Sequence, residues 1–191
     1  LTAASCVYNV SASDVLVRTS TVTPGWRGTV HMVREVAVHP DYSPDNLFLA
    51  NVALLKLRKK FTFGKQVTPI TLWPRTPHIG SEGFTTGWGT ACDQNSEISR
   101  KAHLKKSFTI PVVIVQPRYC FVINNRTYLM CVSSTTKLSS SGCPMDIGAL
   151  LVINKKLAGL NLLTINRAFS VFTSISPYIP WIKSAAFRPH S

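Results

Sequence analysis

Apolar positions along the chain gather in short runs rich in Val, Thr and Ile, at residues 14–22, 30–38, 52–57, 67–72, 83–87, 105–114, 128–132, 149–153, 157–163 and 169–173. Between them stand turn-forming residues, among them Pro24-Gly25, His39-Pro40, Trp73-Pro74 and Asn154. Strand-length β-branched runs with this punctuation predict an all-β sandwich or barrel. One stretch departs from the pattern. Ser176 followed by Pro177, then Tyr178, Ile179, Trp181 and Ile182, offers a capped start and an apolar face, which predicts a helix near the carboxyl end. Pro180 fits such a helix because it falls in the first turn. Internal repeats, low-complexity tracts and extended linkers are absent from the sequence.

A chain of 191 residues with 45% hydrophobic composition has material for a core in one large domain or two small ones, which excludes a disordered or fibrous class. No apolar run approaches the roughly 18 residues of a membrane-spanning helix, and the residues from Leu1 onward lack the charged and apolar regions of a signal peptide. Charge narrows the partners. Twenty-one Lys and Arg against eight Asp and Glu give a formal net charge of +13, which favours anionic partners such as glycosaminoglycans, acidic proteins, lipid headgroups or nucleic acid. The basic residues lie in small groups, Arg58-Lys59-Lys60, Arg100-Lys101, Lys105-Lys106 and Lys155-Lys156. Without a longer basic run or interleaved aromatics, nucleic acid drops out, and a polyanion such as a glycosaminoglycan stays.

Five cysteines and five histidines show no CxxC, HxxxH or HExxH spacing, so the sequence predicts no metal site and no cofactor. Cys120 and Cys131, within a segment rich in Asn and Thr, suit a local disulfide closing a loop. Asn9-Val10-Ser11 and Asn125-Arg126-Thr127 are acceptor sequences for N-glycosylation, at Asn9 and Asn125, in a secreted chain.

Three segments carry a resemblance: Leu1-Thr2-Ala3-Ala4-Ser5-Cys6, Asn51-Val52-Ala53-Leu54-Leu55-Lys56-Leu57 and Ser139-Ser140-Ser141-Gly142-Cys143-Pro144. In this order they are similar to the LTAAHC, DIALLKL and GDSGGP segments of trypsin-like (chymotrypsin-family) serine proteases. Val38-His39-Pro40-Asp41-Tyr42 resembles the family's VHPxY turn, Thr86-Gly87-Trp88-Gly89-Thr90 its GWG strand, and Val171-Phe172-Thr173-Ser174-Ile175 with Trp181-Ile182 its carboxyl end. The resemblance implies two antiparallel Greek-key β-barrels with the active site between them and a short C-terminal helix. It places a protease-like domain at residues 1–183 and a tail at 184–191. The family's amino terminus and about two strands would precede Leu1, so the first barrel is expected to be incomplete and the chain a fragment. The resemblance also assigns the Cys120–Cys131 bridge and leaves Cys6 without its upstream partner. Cys92 and Cys143 have no counterpart and are left open between a bridge and two buried thiols.

Within that resemblance the triad positions are Ser5, Asn51 and Ser141. Ser5 stands in place of the histidine and Asn51 in place of the aspartate, while Ser141 matches the nucleophile. A serine hydroxyl does not take up a proton at neutral pH, and an amide carries no charge to steady an imidazolium. Ser139 replaces the first glycine of the oxyanion hole, Ser140 the aspartate that pairs with a freed amino terminus, and Thr135 stands at the base of the specificity pocket. Lys137 replaces a disulfide cysteine, and Leu160-Asn161-Leu162-Leu163-Thr164 occupies the substrate-pairing strand. The expectation is a secreted, catalytically inactive homologue, not an enzyme, that binds a protease, inhibitor or substrate-like protein as a decoy or regulator. The alternative is a weak or unorthodox endopeptidase or hydrolase that uses Ser141.

Overall fold

In a computed structural model the structure describes residues 1–22, 27–88, 107–121, 126–135, 146–166 and 168–187. The amino-terminal half builds a three-stranded antiparallel sheet from β1 (Leu16–Thr19), β2 (Thr29–Val38) and β3 (Ala53–Leu57), with β2 in the middle. Thr2 is laced to β3 from outside the strands: its N–H donates to the Ala53 carbonyl at 2.9 Å, and the Ala53 N–H returns the bond at 2.8 Å.

The carboxyl-terminal half is a closed ring. β4 (Thr71–Leu72) leads into β5 (Glu82–Gly87), β6 (Phe108–Val115), β7 (Leu129–Ser134), β8 (Leu150–Ile153), β9 (Lys156–Thr164) and β10 (Phe169–Ser174). Antiparallel pairings run β5–β6–β7–β10–β9–β8 and back to β5, so six strands close a barrel without a free edge. β4 adds in parallel to β9 at two positions. All-β architecture, a six-strand barrel and a short C-terminal helix agree with the expectation, and the first half is an open sheet.

Every predicted run contains a strand, and two differ in extent. The run at 67–72 shortens to Thr71–Leu72, because Pro69 has no N–H to give a ladder. The run at 14–22 contracts to Leu16–Thr19. At the carboxyl end, residues Ser176–Tyr178 form a 3-10 turn, and the helix α1 (Ile179–Ala186) begins after it. Ser176 therefore does not cap α1. Its hydroxyl lies 3.1 Å from Thr76 Oγ1 and 3.3 Å from Ser174 Oγ instead.

Two of the buried clusters position the site, and a third surrounds the Cys120–Cys131 bridge. The barrel interior is filled by side chains such as Phe172, Leu151, Met130 and Val132, all buried. Gly159 is needed where β9 crosses it, since a Cβ there would stand 2.6 Å from Met130 Cε and 3.0 Å from the Thr173 carbonyl oxygen. The other core joins the two halves: Ala4, Val52 and Ala53 pack with Leu160, Ile175 and Ile182. The Ser5 and Asn51 segments are rooted in that joint. Burying each large apolar side chain contributes about 1.5–3 kcal/mol, so this joint fixes backbone that sheet pairing alone does not reach.

Candidate active site

Ser5 lies in a 3-10 turn, Ala4–Cys6, directly after the Thr2–Ala53 bridge, and Asn51 lies two residues before β3. The bridge brings them together. The Ser5 N–H donates to Asn51 Oδ1 at 2.9 Å, and Asn51 Nδ2 donates to Ser5 Oγ at 3.2 Å. Asn51 is 1% exposed, so its amide is committed to this pair. The preceding residue, Ala50, is held in the left-handed region at φ 50, and the Val52 N–H closes a tight turn onto the Ala50 carbonyl at 2.6 Å. The Ala50 N–H donates to the Tyr178 hydroxyl at 3.0 Å. Burial raises the Tyr178 pKa despite that bond, so the phenol stays protonated at neutral pH.

Electrostatically the Ser5–Asn51 pair is neutral, and its two hydrogen bonds offset the cost of burying the Asn51 amide. It holds no proton acceptor of useful pKa. The neighbouring Cys6 is free, with Sγ 3.9 Å from the Ile147 carbonyl oxygen; burial raises its pKa more than the Ser5 hydroxyl lowers it, so it is a thiol at neutral pH. Among the described residues no histidine bonds either member. His31 meets Thr19 Oγ1 at 2.9 Å and the Phe61 ring, and His39 packs on Tyr178 and Trp181. Among the described residues, no group of three His, Cys, Asp or Glu side chains could hold a metal ion.

On the barrel side, Thr135 follows β7, exposed, and both its N–H and its hydroxyl donate to the Pro111 carbonyl, at 3.1 and 3.2 Å. Asn161 is buried in β9 and donates to the Asp146 backbone oxygen at 3.1 Å, while the Asn161 carbonyl accepts the Gly148 N–H at 2.8 Å. Asp146 is a residue the sequence reading missed. Its Oδ2 accepts the Trp88 N–H at 2.6 Å, tying the tryptophan of the GWG-like segment to β9 through Asn161. Its signal was scarcity, as one of eight acidic residues, placed just after Pro144.

Cys120 and Cys131 are bridged as expected, both buried. Asn9 is exposed and in the left-handed region at φ 57. Ser139, Ser140, Ser141, Lys137, Cys92, Cys143 and Asn125 lie outside the described residues.

The Trypsin family model matches residues 1–182. The chain belongs to the trypsin family. A trypsin of Sarcophaga bullata is 29% identical over 164 residues, covering 84% of this chain, and the match spans 62% of that protein. Trypsin alpha of Drosophila melanogaster is 25% identical over 191 residues, covering 97% of this chain and 73% of that protein. Among solved structures, an inactivated protease paralogue of the scabies mite superposes with a TM-score of 0.79, covering 99% of this chain and 84% of that one; at 19% identity the likeness shows the fold alone.

These relatives overturn one expectation. A non-enzyme was expected from the loss of two side-chain types, but the proteins this chain matches are named trypsins, and they point to a protease at modest identity. The physical reason is one of scope: replacing histidine and aspartate removes one base, which is a statement about two positions, whereas the match embraces the scaffold from residue 1 to 182.

Proposed function

We propose that the chain is a secreted serine-type hydrolase of the trypsin family, weak or unorthodox in mechanism, with Ser141 as its nucleophile. Family membership over residues 1–182, with a serine kept in the nucleophile's segment, carries this reading. Ser141 Oγ adds to a substrate carbonyl carbon, with the oxyanion assigned by the family's general template to the N–H groups of Ser139 and Ser141. Collapse breaks the scissile bond, the leaving group takes a proton from water, and a second water hydrolyses the acyl-serine. Ser5 and Asn51 take no proton in this scheme. The serine proton passes to solvent base, which makes the reaction slow. Loss of triad members in such enzymes leaves about 10³–10⁴-fold acceleration over water, from the oxyanion hole and binding.

Thr135 gives the specificity pocket an uncharged base, so Lys and Arg are not selected. Protein substrates or inhibitors are the partners, the catalytic domain is residues 1–183 with a tail at 184–191, and Asn9 and Asn125 carry glycans. The excess of positive charge supports a polyanionic second partner. No helix among the described residues is long and apolar enough to cross a membrane.

The test is labelling by a fluorophosphonate, with Ser141→Ala as control. Slow labelling that vanishes in the control supports the proposal. A folded protein that never labels, and hydrolyses no ester substrate, removes Ser141 as nucleophile.

A further inference from the structure

A groove of about 300 Å³ opens on the barrel surface, lined by Trp73, Pro74, Arg75, Pro77, His78 and Lys156, with Thr76 between the prolines. Its floor is fixed. The Trp73 N–H donates to the Leu157 carbonyl at 2.7 Å, and the half-buried indole packs on the barrel core. Thr76 Oγ1 is held by Ser176 Oγ at 3.1 Å and Ser174 Oγ at 3.4 Å, and two prolines restrict the loop further. Lys156 Nζ stands 5.9 Å from the Trp73 ring centroid. No acidic residue lines the groove, and among the described residues neither Arg75 nor Lys156 meets a carboxylate.

The neighbouring turn supplies a separate observation. Ile153 pairs with Lys156, so Asn154-Lys155 is a two-residue hairpin loop, and both residues are left-handed, at φ 46 and φ 60. Such loops favour Asn followed by Gly. Lys155 holds the position where such loops favour glycine, next in sequence to the groove residue Lys156, and backbone strain of this kind gathers at functional sites.

We propose that this groove binds a sulfated saccharide. One sugar ring lies with its C–H face on the Trp73 indole between the proline walls, and its sulfate is held by the Arg75 guanidinium fork and Lys156, with His78 at the rim. Charge complementarity selects an anion, and the fork suits a tetrahedral oxyanion. The flat apolar wall selects a ring. A flexible acidic peptide would use the cations and leave the indole and prolines unmatched. This proposal gives a place to the polyanion partner of the preceding section and rests on that part of it, independently of Ser141.

The test titrates the full chain with a heparin-derived hexasaccharide, following calorimetry and tryptophan emission. Binding that weakens with added salt is expected. Arg75→Gln with Lys156→Gln weakens it about tenfold or more, Lys59→Gln with Lys60→Gln stays within about twofold, and Trp73→Phe abolishes the emission change. All these side chains are solvent-facing or conservatively replaced, and circular dichroism checks each fold. Three results overturn the proposal: no binding by the folded chain, equal weakening by both double variants, or equally tight groove-dependent binding of a polyglutamate peptide. Fluorophosphonate labelling is read separately, so failure of the hydrolase and failure of the groove are told apart.

Discussion

The Tyr178 hydroxyl accepts the Ala50 N–H at 3.0 Å across 128 positions of chain, joining the turn before α1 to the residue that presents Asn51. Ala50 is left-handed without being glycine, a conformation that costs about 1–2 kcal/mol. The bond from Tyr178 and the core around it hold the turn there, so the carboxyl end of the chain sets the geometry of the Ser5–Asn51 pair.

Tyr178→Phe is therefore expected to leave a buried N–H unpaired and to destabilise the protein by about 1–3 kcal/mol. For a chain of this size that lowers Tm by about 2–4 °C per kcal/mol. Thermal unfolding of both proteins measures it. An unchanged Tm would show that the turn is held by packing alone.

Ser5→His alone places an imidazole beside an amide that cannot steady its cation, and a gain below about tenfold in hydrolysis is expected. Ser5→His with Asn51→Asp restores both partners, with an expected gain of about 10²–10⁴ in kcat/KM. The pH profile changes with it. The native chain should show a rate rising with hydroxide through neutrality, and the double variant an inflection near the ordinary histidine pKa of about 6.5. Equal effects of single and double variants would refute the coupling.

His39 makes stability fall in acid. Its Nδ1 accepts the Asp41 N–H at 3.2 Å, which requires the neutral ring, and it is packed against Tyr178 and Trp181. Burial lowers its pKa, outweighing the exposed Asp41 carboxylate 3.9 Å away, which raises it. A folded-state pKa below the unfolded value means the unfolded chain binds the proton more readily, so this stability is present above about pH 6.5 and lost as pH falls through the folded pKa. His39→Asn keeps an acceptor without the titration. Its Tm should decline less than the native one between pH 7 and pH 5, and parallel declines would place the acid sensitivity elsewhere.

Removal of the Cys120–Cys131 bridge by Cys131→Ser is expected to cost about 2–4 kcal/mol, through freedom gained by the unfolded chain and a hydroxyl placed in a buried site. Denaturant unfolding reads it directly, and a loss below about 1 kcal/mol would mean that packing around Phe169 and Leu129 holds this loop without the bridge.

Strand positions were legible because β-branched runs and turn residues alternate locally, and Pro69 shows the limit: it cut one run where only a ladder partner could reveal the cost. The Ser5 and Asn51 positions were legible from segment order. Their mutual hydrogen bonds were not, because they depend on the long-range Thr2–Ala53 bridge and the strained Ala50 turn. Asp146 stayed hidden for the same reason, since its partners, Trp88 just after β5 and Asn161 within β9, are far from each other in sequence. The helix start was misplaced at Ser176 because serine–proline reads alike for a 3-10 turn and an α-helix.

The β5–β8 pairing carries a consequence for biosynthesis. β5 leaves the ribosome well before β8, β9 and β10, yet its second edge is satisfied only by β8. The barrel therefore closes only after β8 has been made. The nascent chain has to wait, with β5–β7 unsealed, until its last strands emerge, and pairing across such separations is slow. Until Thr86 and Leu150 meet, the sheet begun by β5 keeps an open edge.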